Sequence, residues 1–183
     1  MATLTGRTTD FSVGPRVQTG NTLDIAISGD GFIAVEGDRY MRRGDLKRDR
    51  DGYITAWNGV KVVGNGGPIQ LPDDAVNITI DTNGLIVSTD STGRTVEIDT
   101  IRVVEFPSTD NLIPLGDGMY RSSTPGNPVM ESVMQGYLES SNVNAVSEMI
   151  RMIEASREFE SYQKIIQTFD EATAKVNNEL GRI

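Results

Sequence analysis

The central part of the chain, residues 22–136, alternates short apolar runs with turn signals about every eight to twelve residues. Asn58-Gly59 lies between two such runs and is the strongest hairpin signal, because Asn and Gly tolerate a positive φ angle. Similar signals at residues 29–31, 37–38 and 82–84 predict further hairpins. This region is therefore predicted to be a mostly antiparallel β-domain.

The last part of the chain, residues 137–183, contains no proline and no glycine before Gly181. Asn144 is suited to cap a helix, and Glu148 falls in the first turn, where the helix dipole favours an acidic side chain. Apolar residues then recur at helical spacing, and from Phe159 onward at the 3,4 interval of a heptad seam. The predicted assembly seam consists of Val146, Met149, Ile150, Ile153, Phe159, Tyr162, Ile166, Phe169, Val176 and Leu180.

The predicted fold is thus mainly β with a long C-terminal α-helix of the coiled-coil type. We expect three regions: an extended lead-in over 1–21, a β-rich domain over 22–136, and a final strand with the helix over 137–183. Asn142 and Asn144 are predicted to shape the start of the helix. A helix roughly 55–60 Å long would exceed the width of the β-domain, so part of its seam needs a partner. Gly- and Pro-rich residues 111–128 are predicted to form a surface loop.

Composition and charge reduce the number of function classes that fit this chain. The 183 residues carry a formal net charge of −9, which disfavours binding to nucleic acid. No apolar run is long enough for a membrane span, and the first residues lack the apolar core of a secretory signal. The chain has no His and no Cys, and no Ser lies in a G-x-S-x-G setting. We therefore predict no catalytic residues, no cofactor, no bound metal and no small-molecule substrate.

Two segments could carry binding chemistry. Residues 49–54 resemble the middle of an EF-hand loop, but Lys47 and Asn58 occupy positions where calcium ligands are needed, which favours an Asx-type turn. Residues 81–86 repeat the pattern. A basic cluster could contact an anionic partner, although interspersed acidic residues favour a solvated hairpin face. This cluster consists of Arg39, Arg42, Arg43, Lys47, Arg48 and Arg50.

Three segments resemble a known family. Residues 19–32 (TGNTLDIAISGDGF), 40–55 (YMRRGDLKRDRDGYIT) and 136–153 (GYLESSNVNAVSEMIRMI) are similar, in this order, to segments of the bacterial flagellar rod and hook proteins. The resemblance covers nearly the whole chain. Residues 66–72 and 157–160 look most like the proximal rod protein, with the distal rod protein as the alternative. The hook protein would carry a larger inserted domain.

The resemblance implies a structural subunit of the rod, within the periplasm, that self-assembles with other axial proteins and transmits torque for motility. It also implies type III export. Family members begin with a helix carrying an ANN-x-AN motif, which this sequence lacks, so we expect its C-terminal helix to be frayed or paired between chains. Other classes remain open: a carbohydrate-binding or hydrolytic β-module with a coiled-coil tail, for which Trp57 is the only tryptophan, or a soluble adaptor or chaperone-bound export substrate.

Overall fold

The computed structural model describes residues 9–130 and 132–180, the last five of these by backbone alone. The chain divides into two compact units, Met1–Asn142 and Val143–Ile183. The first contains antiparallel sheets and the second a single long helix, which confirms the predicted fold class. The strands are β1 Arg16–Gln18, β2 Ile25–Ile27, β3 Phe32–Val35, β4 Arg39–Met41, β5 Lys47–Arg48, β6 Ile54–Thr55, β7 Ala75–Ile80, β8 Leu85–Asp90, β9 Thr95–Thr100, β10 Val103–Glu105, β11 Leu112–Gly116, β12 Met119–Ser122, β13 Asn127–Pro128, β14 Val133–Gln135 and β15 Tyr137–Glu139. A short 3-10 helix spans Thr109–Asn111, and α1 spans Ala145–Leu180.

The largest sheet has six strands in the order β11-β12-β4-β3-β10-β13. A second sheet has the order β7-β8-β9, and β1–β15, β2–β14 and β5–β6 form two-stranded pairs. The predicted hairpins at 37–38 and 82–84 are confirmed as the β3–β4 and β7–β8 connections. Around Asn58-Gly59 the chain also reverses, with the Ala56 N–H donating to the Val60 carbonyl at 2.7 Å.

Two local predictions are wrong. Residues 29–31 do not close a hairpin, because β2 pairs with β14 while β3 pairs with β4 and β10. All three side chains of β2 are buried, so its partner is set by packing in the core rather than by the nearest turn. Residues 111–128 are not a simple loop, since β11 and β12 pair across residues with positive φ, Gly116, Asp117 and Gly118.

The main core is aliphatic, as the low aromatic content of 6% suggests. Its largest fully buried side chains are Ile25, Ile27, Ile33, Leu46, Ile54, Ile69, Leu71, Ile86, Val62 and Val133. A second, smaller cluster of buried residues is centred on the rings of Phe32 and Phe106. Phe11, from the segment before β1, packs its ring 5.8 Å from Phe32 and 5.3 Å from Tyr120. This contact holds the N-terminal segment to the six-stranded sheet.

A single side chain connects two of the sheets. The Gln135 amide of β14 donates to the carbonyl of Thr22 at 2.7 Å and to that of Ile78 at 2.9 Å, and its oxygen accepts from the Ile80 N–H at 3.2 Å. β7 is an edge strand, and these bonds occupy two of its backbone groups. Gln135 thereby fixes the β7–β9 sheet beside the β2–β14 pair.

Three turns share one geometry, at residues 49–53, 81–85 and 90–94. In each, the first aspartate accepts through Oδ1 from the N–H groups two and four residues later, at 2.7–3.0 Å. The fourth residue is a glycine with φ between 80° and 84°. The pKa of Asp90 is lowered, chiefly by the hydrogen bond from the Thr92 hydroxyl. Because their side chains accept these backbone hydrogen bonds, Asp49 and Asp81 form Asx-type turns, as the sequence favoured.

No helix among the described residues is long and apolar enough to cross a membrane. The described side chains also include no group of three or more acidic residues arranged to hold a metal ion.

Candidate assembly surface

The residues just before α1 are tied to the N-terminal segment. β15 pairs with β1 in the register Arg16↔Glu139, and the Ser140 N–H donates to the Pro15 carbonyl at 2.8 Å. A Cβ added to Gly14 would overlap the backbone oxygen of Ser140, so only glycine fits this close approach. The two segments therefore run together until residue 140.

Arg42 and Glu139 form the polar centre of this region. The Arg42 Nε lies 2.6 Å from Glu139 Oε2, and Nη1 donates to the Gly31 carbonyl at 2.6 Å. The other oxygen of Glu139 accepts from the Gly14 N–H at 2.9 Å. These side chains are only 19% and 13% exposed, so the pair is largely shielded from water. It connects the end of β4, β15 and the segment before β1.

Asn142 is the last residue of the first compact unit, the β-unit. Its side-chain amide donates to the Ser12 carbonyl at 3.0 Å and to the Ser12 hydroxyl at 2.9 Å. A longer bond of 3.4 Å reaches the carbonyl of Asp10. These contacts hold the chain against the N-terminal segment two residues before the cap of α1.

Asn144 caps α1. Its Oδ1 accepts from the N–H groups of Val146 at 3.0 Å and Ser147 at 3.2 Å, and its own carbonyl accepts from the Glu148 N–H at 3.0 Å. Two of the backbone donors left free at a helix start are thereby satisfied. Glu148 also forms an exposed ion pair with Arg151 at 2.7 Å.

Replacing the cap tests this geometry. We expect Asn144→Ala to weaken the first turn of α1 by about 1 kcal/mol, because the Val146 and Ser147 N–H groups lose their acceptor. Amide hydrogen exchange at these two positions should become faster. Asn144→Asp keeps an acceptor oxygen and should leave exchange near the wild-type rate. Unchanged protection in Asn144→Ala would show that the cap is not needed.

The predicted seam is exposed. Eight of its members have described side chains, and each is more than half exposed: Val146 66%, Met149 62%, Ile150 52%, Ile153 54%, Phe159 63%, Tyr162 64%, Ile166 60% and Phe169 68%. The side chains of Val176 and Leu180 lie outside the described residues. Single exposed apolar residues are ordinary, whereas a series of this length on one helix is typical of a contact surface.

The basic cluster is mostly satisfied locally. Arg43 pairs with Asp45 at 2.5 Å, and its guanidinium lies 5.5 Å from the centre of the Trp57 ring. Arg48 donates to the Pro72 carbonyl at 2.8 Å, and Arg39 donates to the Glu36 carbonyl at 2.9 Å. These contacts agree with the solvated hairpin face favoured from the sequence. Arg42 is the exception, because it lies largely buried against Glu139.

Sequence reasoning missed the Arg42–Glu139 pair. Both residues lie within the segments that carry the family resemblance, at 40–55 and 136–153, but they are 97 positions apart. The sequence shows only that each segment carries a charged residue. Nothing in the local pattern indicates that Arg42 and Glu139 lie in contact.

Comparison with known proteins agrees with this architecture. Residues 134–179 match the family model described as flagellar basal body rod FlgEFG protein C-terminal. Residues 26–88 match the one described as flagellar hook protein FlgE/F/G D1 domain. The chain is 32% identical to the flagellar basal-body rod protein FlgG of Agrobacterium fabrum, over 91% of this chain and 68% of the relative. The chain belongs to the flagellar basal-body rod protein family. The predicted family and its location in the basal-body rod are thus confirmed.

Further members of the rod family give similar values. FlgG of Bacillus subtilis is 35% identical, over 87% of this chain and 66% of that protein. FlgF of Escherichia coli is 32% identical, over 93% of this chain and 73% of that protein. The chain thus spans about two thirds to three quarters of the length of these relatives. Because FlgF and FlgG match at similar identity, identity does not separate the two rod proteins.

Proposed function

We propose that this chain is a non-catalytic structural subunit of the flagellar rod, and that α1 packs against helices of neighbouring axial subunits and of other copies of itself. The exposed apolar series on the 36-residue helix carries this proposal. Such a helix becomes stable chiefly by burying its apolar side chains against other helices. A tube of packed helices with attached β-domains is stiff, as torque transmission requires.

The β-unit contributes to this function by positioning the start of α1. The Arg42–Glu139 pair, the Asn142 amide and the β1–β15 pairing hold the chain directly before α1 in one conformation. We propose that the chain occupies the proximal part of the rod, as FlgF does, because residues 66–72 and 157–160 resemble the proximal rod protein. The distal position of FlgG is the alternative.

The test is a chromosomal allele in the bacterium that encodes this chain. We expect Ile166→Glu with Phe169→Glu to abolish swimming and to leave cells without hooks, because two charges would have to be buried between helices. Gln167→Glu with Thr168→Glu adds the same charge at neighbouring exposed positions outside the seam and should preserve swimming. Cells that swim normally with the seam variant, at wild-type protein level, would refute the proposal.

A cross-linking experiment addresses the rod position. The chain has no cysteine, so Gln163→Cys introduces a unique thiol beside the seam. In isolated basal bodies, a cross-linker whose maleimide end reacts with this thiol should link the chain to the axial subunits that lie next to α1. Capture of only the hook protein would place the chain at the distal end of the rod and contradict the proximal assignment.

A further inference from the structure

The chain contains three Asn-Gly pairs, at residues 58–59, 65–66 and 83–84. In such a pair the backbone nitrogen of the glycine can attack the side-chain amide of the asparagine, because glycine adds no side chain that hinders the approach. The attack requires that the nitrogen lose its proton and that the asparagine side chain be free to turn. The three pairs differ in both respects.

Two of the pairs are fixed in turns. The side-chain amide of Asn58 donates to the sulfur of Met119 at 3.6 Å, and that of Asn83 donates to the carboxylate of Asp81 at 3.5 Å. In both pairs the glycine N–H donates to a backbone carbonyl, at 2.9 Å and 3.0 Å respectively. A carbonyl oxygen is too weak a base to accept the proton of an amide.

The third pair, Asn65 and Gly66, is bound by a carboxylate. Asp99 of β9 accepts from the Gly66 N–H at 3.0 Å through Oδ2, and from the N–H groups of Asn65 at 3.2 Å and Thr100 at 2.7 Å through Oδ1. A Cβ at Gly64 would overlap this carboxylate, so glycine permits its close approach. The exposed side-chain amide of Asn65 forms no hydrogen bond within the part of the chain that the structure describes.

The position of Asp99 follows from an irregularity in the sheet. The register of β8 and β9 shifts by one residue between Asp99 and Glu97. A bulge of this kind changes the direction of the side chains beside it. The carboxylate of Asp99 can thereby reach loop 64–67 instead of remaining on the regular face of the strand.

A cation binds the other end of the same peptide group. The guanidinium of Arg102 donates to the carbonyl of Asn65 at 3.4 Å, while Asp99 accepts from the N–H of Gly66. If this N–H loses its proton, resonance spreads the negative charge onto the carbonyl oxygen. A cation beside that oxygen stabilises the charge as it develops, and a carboxylate beside the N–H can receive the proton.

We propose that Asn65 is a self-catalysed modification site, at which Asp99 and Arg102 promote loss of the side-chain ammonia. Asp99 takes the proton of the Gly66 N–H, and the nitrogen forms a bond to Cγ of Asn65. The proton passes from Asp99 to Nδ2 as the Cγ–Nδ2 bond breaks, so that ammonia leaves and a succinimide ring remains. Water then adds to one ring carbonyl and opens the ring to aspartate or isoaspartate. The net reaction consumes one water and releases one ammonia.

The isoaspartate product would alter the attachment of the loop. It inserts an additional methylene into the backbone, so the N–H groups of residues 65 and 66 could no longer both reach Asp99. Since these two bonds connect loop 64–67 to β9, the modification would loosen this connection. The inference is independent of the role proposed for α1.

Peptide mass spectrometry of the full chain, sampled during incubation at neutral pH, measures the three reactions side by side. In the folded chain we expect Asn65 to lose ammonia about a hundredfold faster than Asn58 and Asn83, at the lower end of what a positioned base contributes. In urea, where all three pairs lose their surroundings, the rates should become similar. Equal rates at the three sites in the folded chain would overturn the inference.

Asp99→Asn separates catalysis from simple restraint of the loop. Asparagine keeps an acceptor oxygen but cannot take the proton, so the reaction at Asn65 should slow by about a hundredfold while Asn58 and Asn83 keep their rates. If Asp99 only restrained the loop, the variant would free it and the reaction would be as fast as before or faster. Either result would overturn the inference. Circular dichroism checks that the variant is folded.

Arg102 has its own pair of variants. Arg102→Gln removes the cation beside the Asn65 carbonyl and should also slow the reaction, whereas Arg102→Lys keeps a positive charge and should restore most of the rate. An unchanged rate in Arg102→Gln would overturn the part assigned to Arg102. Equal slowing in both variants would have the same meaning, because the charge would then make no difference.

Discussion

The Gly44→Ala variant is expected to lose about 3 kcal/mol of unfolding free energy, because the added methyl group has no space in the core. The Gly44 carbonyl accepts from the Ile25 N–H at 3.0 Å, which brings the two backbones together inside the core. A Cβ at position 44 would overlap the backbone oxygen of Ile25 and come within 3.0 Å of its Cγ1. The obstacle is mostly backbone, so it cannot move aside without breaking the pairing.

Gly59→Ala is the matched control. Gly59 has a φ of 83°, but a Cβ there would meet no atom within 4 Å. Its cost comes from the left-handed backbone alone, about 1 kcal/mol. Urea unfolding followed by Trp57 fluorescence gives both midpoints, and Gly44→Ala should unfold at the lower concentration. Equal midpoints would mean that the core yields at Gly44 far more easily than its geometry implies.

Glu139→Ala is expected to cost about 2–3 kcal/mol, because it leaves the Arg42 charge largely buried and unpaired. The substitution also removes the acceptor of the Gly14 N–H. The same urea experiment measures the loss. Replacing both partners, with Arg42→Met and Glu139→Leu, should recover much of the stability, since no unpaired charge then remains.

Arg43→Ala provides the exposed comparison. Arg43 is 58% exposed and its pair with Asp45 is solvated, so its loss should cost about 1 kcal/mol or less. Because the contact between Arg43 and Trp57 also affects the emission intensity of the folded protein, the variants are compared by their unfolding midpoints. If Glu139→Ala proves no more harmful than Arg43→Ala, the Arg42–Glu139 pair does not stabilise the β-unit.

Local chemistry explains which parts of the fold could be read from the sequence. The reversals at 37–38, 58–59 and 82–84 were predicted because glycine with Asn or Asp sets the backbone within a few residues. The cap at Asn144 was predictable because its side chain bonds to N–H groups only two and three residues later. The periodic apolar residues predicted the helix itself, and the assembly surface on it stays a prediction.

Long-range pairing explains the rest. The pairing of β2 with β14 joins residues more than a hundred positions apart. It takes the place of the local hairpin predicted at 29–31. Pro114 and the glycines made 111–128 resemble a loop, although Gly116, Asp117 and Gly118 adopt the positive φ angles of a tight connection. The Arg42–Glu139 contact likewise depends on strands that meet only in the folded unit.

The register of β1 and β15 has a mechanical consequence. Because the strands are antiparallel and Arg16 lies opposite Glu139, the chain enters and leaves the β-unit at the same end of the pair. A pull on the two flanking segments would therefore peel β1 from β15 one hydrogen bond at a time, rather than shear all the bonds at once. The bonds of Asn142 to Ser12 and of Ser140 to Pro15 would carry this load first. The bonds of Glu139 to Gly14 and Arg42 would then have to break before the strands separate.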